Sequence, residues 1–600
     1  MTFKRYELTI PVELTSELHI GGVDEVPERD GKGTVIRFCR NGLKEPTIPG
    51  RSIRGAVRAA CDVARQALED AGDPATQDGG VFSKASWVSL WGDDSADTGK
   101  SLLDRRLRRD DSLPIRQSAL TLHAVSFPEY KDSDSGESPL PRRHGVGIDR
   151  TTGAASDGAL YEHEFLPRGT RFTIRITAEG RDNEPMGRDQ SDGIPGPASS
   201  ESVKKLLEVI VDILKSGAVC LGGRTGSGQG TIQVIEPKLR RTGKTTDAGA
   251  LTAPADVLDA LIGEDEEGTP IPLELGGWSL QEPARIRITW WSPTGIFVAE
   301  DQELTDRRKE EAQKKNPEAN GVTEPLRDPS VDWDEAQLLI PGTSIRGALR
   351  SRASRIARTI LAARDELSTS TSHDLHEQIA AEPNLVRYMF GSTEYRGAVT
   401  VHDCLSTERG KRIEVTHNAI DRWTGGVIDG GLFTEAVYLG THWEPITIDI
   451  DLRQLLNNIE AEKGPEDREQ SKPTHADYAH AAYVLLGLVL AEMSAGTLPL
   501  GSRSTRGLGQ LVVTTIEAEG ADRKGVDLPS WNFTGCEALQ QPATGAGVMT
   551  DALYKGQREL AGRILQHLKD KYDGTDWSKH LENGPGAARK QSEGTGAADD

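Results

Sequence analysis

Short segments of the chain alternate apolar and polar residues with a period of two, which is typical of half-buried β-strands. Residues 3–20 (FKRYELTIPVELTSELHI) predict an opening strand that ends at Gly21-Gly22. Further strands are expected at 34–38, 172–177, 231–234 and 285–291. Residues 52–69 place their apolar side chains on one face of a helix, and helices are also expected at 201–215, 344–367 and 475–494. The intervening residues 70–100 are expected to form a loop, so the patterns predict a mixed α+β protein.

An eleven-residue motif occurs twice in the chain. Residues 48–58 (IPGRSIRGAVR) and 340–350 (IPGTSIRGALR) are identical at nine positions. Their separation is too long for a solenoid repeat and matches the length of a domain. Three more motif pairs follow in the same order, at 90–92 and 389–391, 147–153 and 419–425, and 221–232 and 500–511. The shared order predicts that a whole domain is duplicated.

The repeated motif has two interpretations. Pro-Gly makes a sharp turn, the following Ser is a natural N-cap, and Ile-Arg-Gly-Ala begins a helix. Unpaired N–H groups at a helix start, together with Arg side chains, favour binding of a phosphate chain. The alternative is a capped amphipathic helix whose Arg residues are simply solvated. The candidate residues for binding such a chain are Arg51, Ser52, Arg54 and Arg58 in the first copy and Ser344, Arg346 and Arg350 in the second.

Two other motif pairs carry Arg residues. Ile-Asp-Arg-x-Thr-Gly places Arg150 and Arg422 beside a carboxylate ahead of a turn, and either stabilises a hairpin or brings the Arg to a phosphate. The Gly-rich segments carry Arg224 in the first half, and Arg503 and Arg506 in the second. They form either tight strand-entry turns or part of a groove for a nucleic-acid backbone. These segments lack the Gly-Lys-Ser/Thr of a Walker motif and the spacing of a dinucleotide-binding motif.

Composition adds constraints on the class of protein. The 600 residues suffice for two to four domains, and the formal net charge of −22 argues against nucleic acid as a partner if the charge is taken as a whole. The Arg clusters at 105–109, 142–143 and 346–355 are local, however, and a local groove can be basic in an acidic chain. Five scattered Cys predict neither disulfides nor a zinc site. With no apolar segment of membrane-spanning length, a cytoplasmic protein without membrane contact is expected.

Candidate catalytic chemistry is acidic. The His residues are scattered with no metal-ligand spacing, and no nucleophilic triad is recognisable. Asp24 or Asp30, in the loop expected at 23–33, would hold a divalent metal beside a phosphodiester, or position an RNA 2′-hydroxyl. A solvated loop acid is the alternative.

Taken together, the motifs resemble the RAMP proteins of CRISPR effector complexes, most closely the backbone subunits of type III (Csm/Cmr-like) complexes. The resemblance rests on His19-Ile20-Gly21-Gly22, the acid-bearing loop, the Ile-Pro-Gly motif, the Phe-Gly element, Ile-Asp-Arg-x-Thr-Gly and the Gly-rich loop, and covers about 1–236 and 284–515. It implies two fused ferredoxin-like (RRM-type) domains, each with a β-hairpin thumb and a Gly-rich loop. The expected boundaries are 1–236 and 284–520 for the domains, 237–283 for a linker, and 521–600 for a C-terminal extension with a disordered tail.

The resemblance also implies a function. Such subunits bind guide RNA (crRNA) with companion effector subunits and, in type III complexes, cleave the paired target RNA with a loop Asp and Mg²⁺ or Mn²⁺. In the first half Asp30 is preferred over Asp24. In the second half, Asp301, Asp306, Asp328, Asp332 and Asp334 compete, and Asp328 and Asp301 are the named candidates. The second half departs from the family pattern because no Gly-Gly turn follows its opening strand, so its cleavage activity is in doubt.

Two other functions stay open at this point. A non-catalytic RNA-binding subunit of the same complex would use the acids only as loop residues. A guide-processing endonuclease of the same superfamily would require a catalytic His near the first helix, where the sequence offers none.

Overall fold

The computed structural model describes residues 2–27, 34–77, 80–92, 118–133, 138–150, 152–182, 198–217, 219–242, 269–276, 283–300, 310, 314, 321–330, 335–367, 374–463, 474–523, 526–540, 549–572 and 576–584. Two of the expected catalytic residues, Asp30 and Asp301, lie outside these ranges. The same holds for the competing residues Asp306, Asp332 and Asp334.

The first half folds around an antiparallel sheet with the strand order β12-β11-β1-β9-β5, in which β10 also pairs with β1. The predicted alternation is present in β1, where Leu8, Ile10 and Val12 are fully buried. Helix α3 packs on β1 and β9, and α1 packs on α3. The elements are β1 (Thr2–Leu14), β2 (Gly21–Pro27), β3 (Thr34–Phe38), β4 (Thr47–Ile48), α1 (Gly50–Asp70), α2 (Lys84–Trp91), β5 (Leu120–Leu122), β6 (Val125–Ser126), β7 (Arg142–Ile148), β8 (Ala155–Glu164), β9 (Arg171–Asp182), α3 (Ser200–Lys215), β10 (Ile232–Val234), β11 (Lys238–Thr242) and β12 (Thr269–Ile271).

The second half repeats this plan around β13, which pairs with β20, β21 and β22. Its elements are β13 (Ala284–Ser292), β14 (Val322–Thr323), β15 (Leu339–Ile340), α4 (Gly342–Ala363), α5 (Leu375–Ala380), α6 (Asn384–Phe390), β16 (Val399–Val401), β17 (Cys404–Glu408), β18 (Lys411–Ile420), β19 (Val427–Leu439), β20 (Thr441–Trp443), β21 (Ile446–Ile450), α7 (Leu452–Lys463), α8 (His475–Ser494) and β22 (Val512–Glu519). The helices and strands expected from the sequence pattern are therefore present in both halves.

Helix α8 is the central helix of the second half. A capping box fixes its start, because Thr474 and Asp477 each accept a hydrogen bond from the other's backbone N–H. It packs against α4, α6, α7 and the C-terminal extension, so apolar residues surround its axis. None of the helices in the described ranges combines the length and apolarity that are needed to cross a lipid bilayer.

The expectation that Ser52 and Ser344 are N-caps is wrong. Helix α1 begins at Gly50 and α4 at Gly342, with Pro49 and Pro341 in the N-cap positions and no side-chain cap. Proline has a φ that already suits a helix entry, so the helix starts directly after the Pro and the Ser lies in the first turn. The Ser52 N–H donates to the Pro49 carbonyl at 2.9 Å.

Two segments expected to be loops contain regular structure. Within 70–100, α2 is a helix that begins at the side-chain cap Ser83 and ends at Gly92, whose φ is 79°. Its apolar residues Trp87, Leu90 and Trp91 are buried, so core packing stabilises a helix that periodicity alone did not reveal. In the expected loop 23–33, the backbone of Asp24 belongs to β2, which pairs with β3.

Two long β-hairpins, formed by β7 with β8 and by β18 with β19, belong to sheets separate from the two main sheets. They correspond to the two predicted thumbs. The Ile-Asp-Arg-x-Thr-Gly motif lies at the tip of each hairpin, where Ile148 pairs with Ala155 and Ile420 with Val427. Each tip thus occurs at the end of a two-stranded ribbon.

The segments outside the two expected domains also pack on the cores. In the expected linker, β11 and β12 extend the first sheet, and Leu239 is buried in the first core. In the C-terminal extension the structure contains β23 (Ala521–Arg523), β24 (Val526–Leu528), β25 (Trp531–Thr534), α9 (Glu537–Gln540) and α10 (Asp551–Tyr572). Strand β25 pairs with β22, and α10 packs on α8. The expected disordered tail after residue 584 lies outside the described residues.

We predict that Gly342→Ala destabilises the protein by about 1–3 kcal/mol, since small-to-large changes at close-packed positions cost this much. A Cβ at Gly342 would collide with the Val401 carbonyl and lie 2.8 Å from the carbonyl oxygen of Ser227, which belongs to the first half. Gly347→Ala in the same helix is the matched control, because nothing lies within 4 Å of its added Cβ. Thermal unfolding should show a lower Tm for the first variant and an equal or higher Tm for the control.

Candidate nucleic-acid interface

The Arg of Ile-Arg-Gly in the repeated motif, Arg54 or Arg346, binds the Trp-Gly or Phe-Gly element of its own half. Arg346 donates from Nη2 to the Phe390 carbonyl at 2.7 Å and from Nε to the Val399 carbonyl at 3.2 Å. Arg54 donates in the same way to the Trp91 carbonyl. Each guanidinium also lies over the aromatic ring of the residue it binds. Burial lowers the pKa of Arg346 to about 10. In the sequence the Ile-Pro-Gly motif and the Phe-Gly element are separate motifs, whereas in the fold these Arg side chains connect them by hydrogen bonds.

The other residues of this motif differ between the halves. Arg51 is exposed in the first turn of α1, while Ser52 is partly buried. Arg58 lies 3.7 Å from Asp62, one turn along the same helix. Its counterpart Arg350 donates from Nε to the buried carboxylate of Glu382 at 2.8 Å.

The backbone N–H at the start of α4 is also engaged, because Gly342 donates to Asp403 Oδ1 at 2.7 Å. The N–H of Ser344, two residues further on, donates to the Pro341 carbonyl at 2.9 Å. An anion at this helix start would therefore compete with Asp403.

Both hairpin tips are Asx turns of one geometry. Asp149 Oδ1 accepts from the N–H of Thr152 at 2.7 Å, and Asp421 Oδ1 accepts from the N–H of Thr424 at 2.8 Å. Gly153 and Gly425 both have a φ of 69° at the turn. In both halves, therefore, the Asp of Ile-Asp-Arg-x-Thr-Gly stabilises the hairpin turn, as one of the two interpretations of the motif expected.

The first hairpin tip docks on the second half. Arg150 donates from Nε to Glu382 Oε1 at 3.1 Å and from its backbone N–H to Gln378 Oε1 at 2.8 Å. Gln378 donates in turn to Asp149 Oδ2 at 2.9 Å. Glu382 is fully buried, so it joins Arg150 of the first half to Arg350 of the second. We define Leu375, Gln378 and Glu382 as the acceptor surface. Arg422, at the second hairpin tip, is exposed.

The Gly-rich loops have a common shape and different partners. Arg224 and Arg503 both adopt left-handed backbone conformations, with φ of 56° and 65°, ahead of a short 3₁₀ turn. Arg224 donates to the Tyr161 hydroxyl at 3.0 Å. Arg503 donates from Nη2 to Glu435 Oε1 at 2.7 Å, and Arg506 lies 3.6 Å from the same carboxylate.

The first Gly-rich loop also packs on the second half. An added Cβ at Gly228 would lie 2.9 Å from the Cα of His402, and one at Gly226 would lie 3.6 Å from the guanidinium of Arg346. The loop and the hairpin tip of the first half therefore contact the second half together.

A buried charged cluster lies where the halves meet. Arg143, 5% exposed, donates to Glu17 and lies 3.9 Å from Asp403. Burial raises the pKa of Glu17 to about 8; Asp403 and Asp328 add to the rise and Arg143 opposes it. Glu17 is thus mostly protonated at neutral pH.

Asp328 is the one expected catalytic residue whose side chain the structure describes. Its Oδ1 accepts from the N–H of Ser330 at 3.0 Å and from the Ser330 hydroxyl at 2.7 Å. It lines a cleft of about 1140 Å³ between the two halves, to which Arg142 and Arg168 also contribute. Sequence reasoning missed Arg168, whose only signal is its place in the Pro167-Arg168-Gly169 turn after β8.

Two of the scattered His residues meet in the fold. The rings of His19 and His163 are 5.2 Å apart, and both are buried. Burial lowers the pKa of both rings, which keeps them neutral. Buried neutral rings are typical of a structural role and do not favour a guide-processing endonuclease.

These observations define a duplicated α+β protein in which each half has a central sheet, a motif-bearing helix, a hairpin and a Gly-rich loop. The chain belongs to the RAMP superfamily, whose sequence model matches residues 12–233 and 337–512, about two thirds of the chain. The predicted tandem RAMP organisation with ferredoxin-like cores is thereby confirmed. Membership indicates a CRISPR-associated RNA-binding subunit that acts with other subunits. Among curated proteins, none shows significant sequence similarity to this chain.

The pKa of Glu17 predicts a pH dependence of stability. The folded state keeps a proton on Glu17 up to about pH 8, whereas the unfolded chain releases it near the ordinary value of 4.5. The free energy of unfolding is therefore greatest below about pH 4.5 and decreases as the pH rises to about 8, by at most about 1.4 kcal/mol per pH unit. Thermal unfolding between pH 5 and 8 should show a falling Tm for wild type relative to Glu17→Gln. Parallel curves would contradict the shift.

Proposed function

We propose that the chain is a guide-RNA-binding backbone subunit of a type III CRISPR interference complex and that it cleaves complementary target RNA. One observation carries the proposal: a cleft between the two RAMP domains is lined by the carboxylate of Asp328 and by Arg142, Arg143, Arg168 and Arg327, together with Glu13, Glu300 and Glu444. Basic side chains attract the phosphate backbone, and a carboxylate beside it supplies metal-dependent cleavage chemistry.

The candidate residues fall into three groups, which are phosphate contacts, residues that shape the interface and candidates for cleavage. Arg51 and Arg168 supply charge for RNA phosphates, and within the described ranges neither forms a salt bridge. Arg54 and Arg346 shape the interface by holding the Trp91 and Phe390 carbonyls. Asp24, Asp30, Asp301 and Asp328 are the candidate cleavage residues, of which Asp30 is preferred in the first half.

Carboxylate oxygens suit Mg²⁺ or Mn²⁺, and such an ion would polarise the scissile phosphate. Within the described ranges, no three His, Cys, Asp or Glu side chains are grouped to hold a metal ion. The described residues therefore supply no complete cage, and RNA phosphate oxygens and water would complete the ligand set. The protein's part is to present the carboxylate and to align the RNA.

We expect Arg51→Glu and Arg168→Glu to lower the amount of copurifying guide RNA with little change in Tm, because both side chains act through charge. Arg54→Glu and Arg346→Glu should lower both the RNA and the Tm, because they also break buried contacts. RNA content is measured per mole of purified protein. Unchanged RNA in all four variants would refute the assignment.

Cleavage is tested with labelled complementary RNA and the guide-loaded complex in Mg²⁺. Asp24→Asn, Asp30→Asn, Asp301→Asn and Asp328→Asn are compared with wild type. We expect each catalytic Asp to account for one defined cut, with at least a hundredfold slower cleavage at that position and unchanged target binding. If wild type binds target without cutting it, the chain is a structural RNA-binding subunit.

A further inference from the structure

Helix α10 belongs to a part of the chain that the RAMP sequence model does not cover, since the matched residues end at 512. One face of α10, which includes Leu553, Leu560 and Ile564, is buried, and the helix packs on α8. Residues that recur at intervals of three, four or seven positions share a helix face. By this rule one exposed face, which we name the basic stripe, contains Tyr554, Lys555, Arg558, Leu565 and Lys569.

The three cations of the basic stripe have no carboxylate partner. Within the described ranges, Lys555, Arg558 and Lys569 form no salt bridge. The exposed carboxylates of Glu559 and Asp570 lie on the adjoining edge of the helix instead. A local group of like charges attracts a ligand of the opposite charge even when the whole protein, here with a net charge of −22, repels it. The basic stripe therefore favours an anionic partner.

An aromatic ring lies beside these cations. Tyr554 is 42% exposed, and it lines a surface cavity of about 390 Å³ together with Asp551, Lys555 and Arg558. Proteins bind single-stranded nucleic acid with this combination, because the ring stacks on a base while the cations bind the phosphates. Asp551 lies in the first turn of α10, where the helix dipole favours a carboxylate, and it can accept a hydrogen bond from a ribose 2′-hydroxyl.

The basic stripe is a poor surface for a protein partner. Its two apolar side chains, Tyr554 and Leu565, are eleven residues apart in the chain, which is about 16 Å along the helix axis. They form no continuous apolar patch, and the core of a protein–protein interface requires one. A single strand of RNA requires none, because each nucleotide presents its own base and phosphate.

We propose that the basic stripe is a second RNA-binding site, which takes a single-stranded segment of the RNA that the complex carries. Tyr554 stacks on one base, and Lys555 and Arg558 bind the adjoining phosphates. Lys569 binds the same strand about three turns further along α10. This inference rests on the proposed RNA-binding function and extends it to a segment outside the RAMP domains.

The first test measures the affinity of the purified full chain for labelled oligouridine at several salt concentrations. The logarithm of a single-strand affinity falls with the logarithm of the salt concentration, with a slope of about −0.7 for each phosphate contact. Lys555→Gln combined with Arg558→Gln should lower the affinity and make the slope shallower by about 1.4. Tyr554→Ala should lower the affinity about fivefold or more with an unchanged slope, because it removes stacking and no charge.

Two further variants are the controls for this measurement. Tyr554→Phe keeps the ring and should bind as wild type does. Lys571→Gln changes an exposed cation two residues beyond Lys569, which lies off the basic stripe, and should leave affinity and slope near the wild-type values. Tm should be unchanged in the charge variants, whose side chains are exposed. Wild-type binding by the stripe variants, or an equal effect at position 571, would overturn the proposal.

The second test places the photoreactive residue p-benzoylphenylalanine at position 554, in the complex purified from cells that assemble it. The expected product is a nuclease-sensitive nucleotide adduct, which should be absent when the same residue replaces Glu559 on the adjoining edge. A peptide adduct specific to position 554 would identify a protein partner and overturn the proposal.

Guide RNA is measured in the same preparation, so that the two proposals fail separately. A complex that contains guide RNA but gives no nucleotide adduct at position 554 would contradict this site alone. A complex without RNA would contradict the proposed function, and the oligouridine measurement would then decide on the basic stripe by itself.

Discussion

The carboxylate of Glu382 is the point at which the two halves of the chain are joined. It is fully buried and lies between Arg150, which comes from the first half, and Arg350, which comes from the second. A buried carboxylate is costly unless it is paired, so this arrangement favours one relative position of the two RAMP domains. Arg143 of the first half, which is bonded to Glu17 and lies 3.9 Å from Asp403, adds a second contact between the halves. The cleft that contains Asp328 depends on both.

The C-terminal extension supports this junction from the opposite side. A Cβ at Gly584 would collide with the Ala380 and Glu382 carbonyls, so the end of the extension packs directly under the acceptor surface. Nearby, Glu582 is bonded to Lys463 and Tyr478. The first half has no such supporting extension among its described residues. The two halves are thus related in fold but not in their contacts.

The Arg residues show why a repeated motif is a poor guide to a single role. Arg54 and Arg346 bind backbone carbonyls, Arg350 binds Glu382, and Arg503 binds Glu435. Each of these guanidiniums already donates hydrogen bonds within the protein, which leaves fewer of its N–H groups to bind a phosphate. The whole-chain charge of −22 is equally uninformative about a single site, since Arg142 and Arg168 line the same cleft as Glu13, Glu300, Asp328 and Glu444.

The sequence by itself determined the duplication, the α+β class, the family and the main elements, because these follow from local pattern and from motifs repeated in order. It could not reveal helix α2, whose Trp91 is stabilised by core contacts distant in sequence, nor the start of α1 at Gly50, where Pro49 replaces the expected Ser cap. Only the tertiary structure decided that Arg150 is paired with the buried Glu382 while Arg422, in the same motif, faces solvent. Both residues follow Ile-Asp and precede a Thr-Gly pair in the same motif, and what distinguishes them is whether a second domain lies opposite.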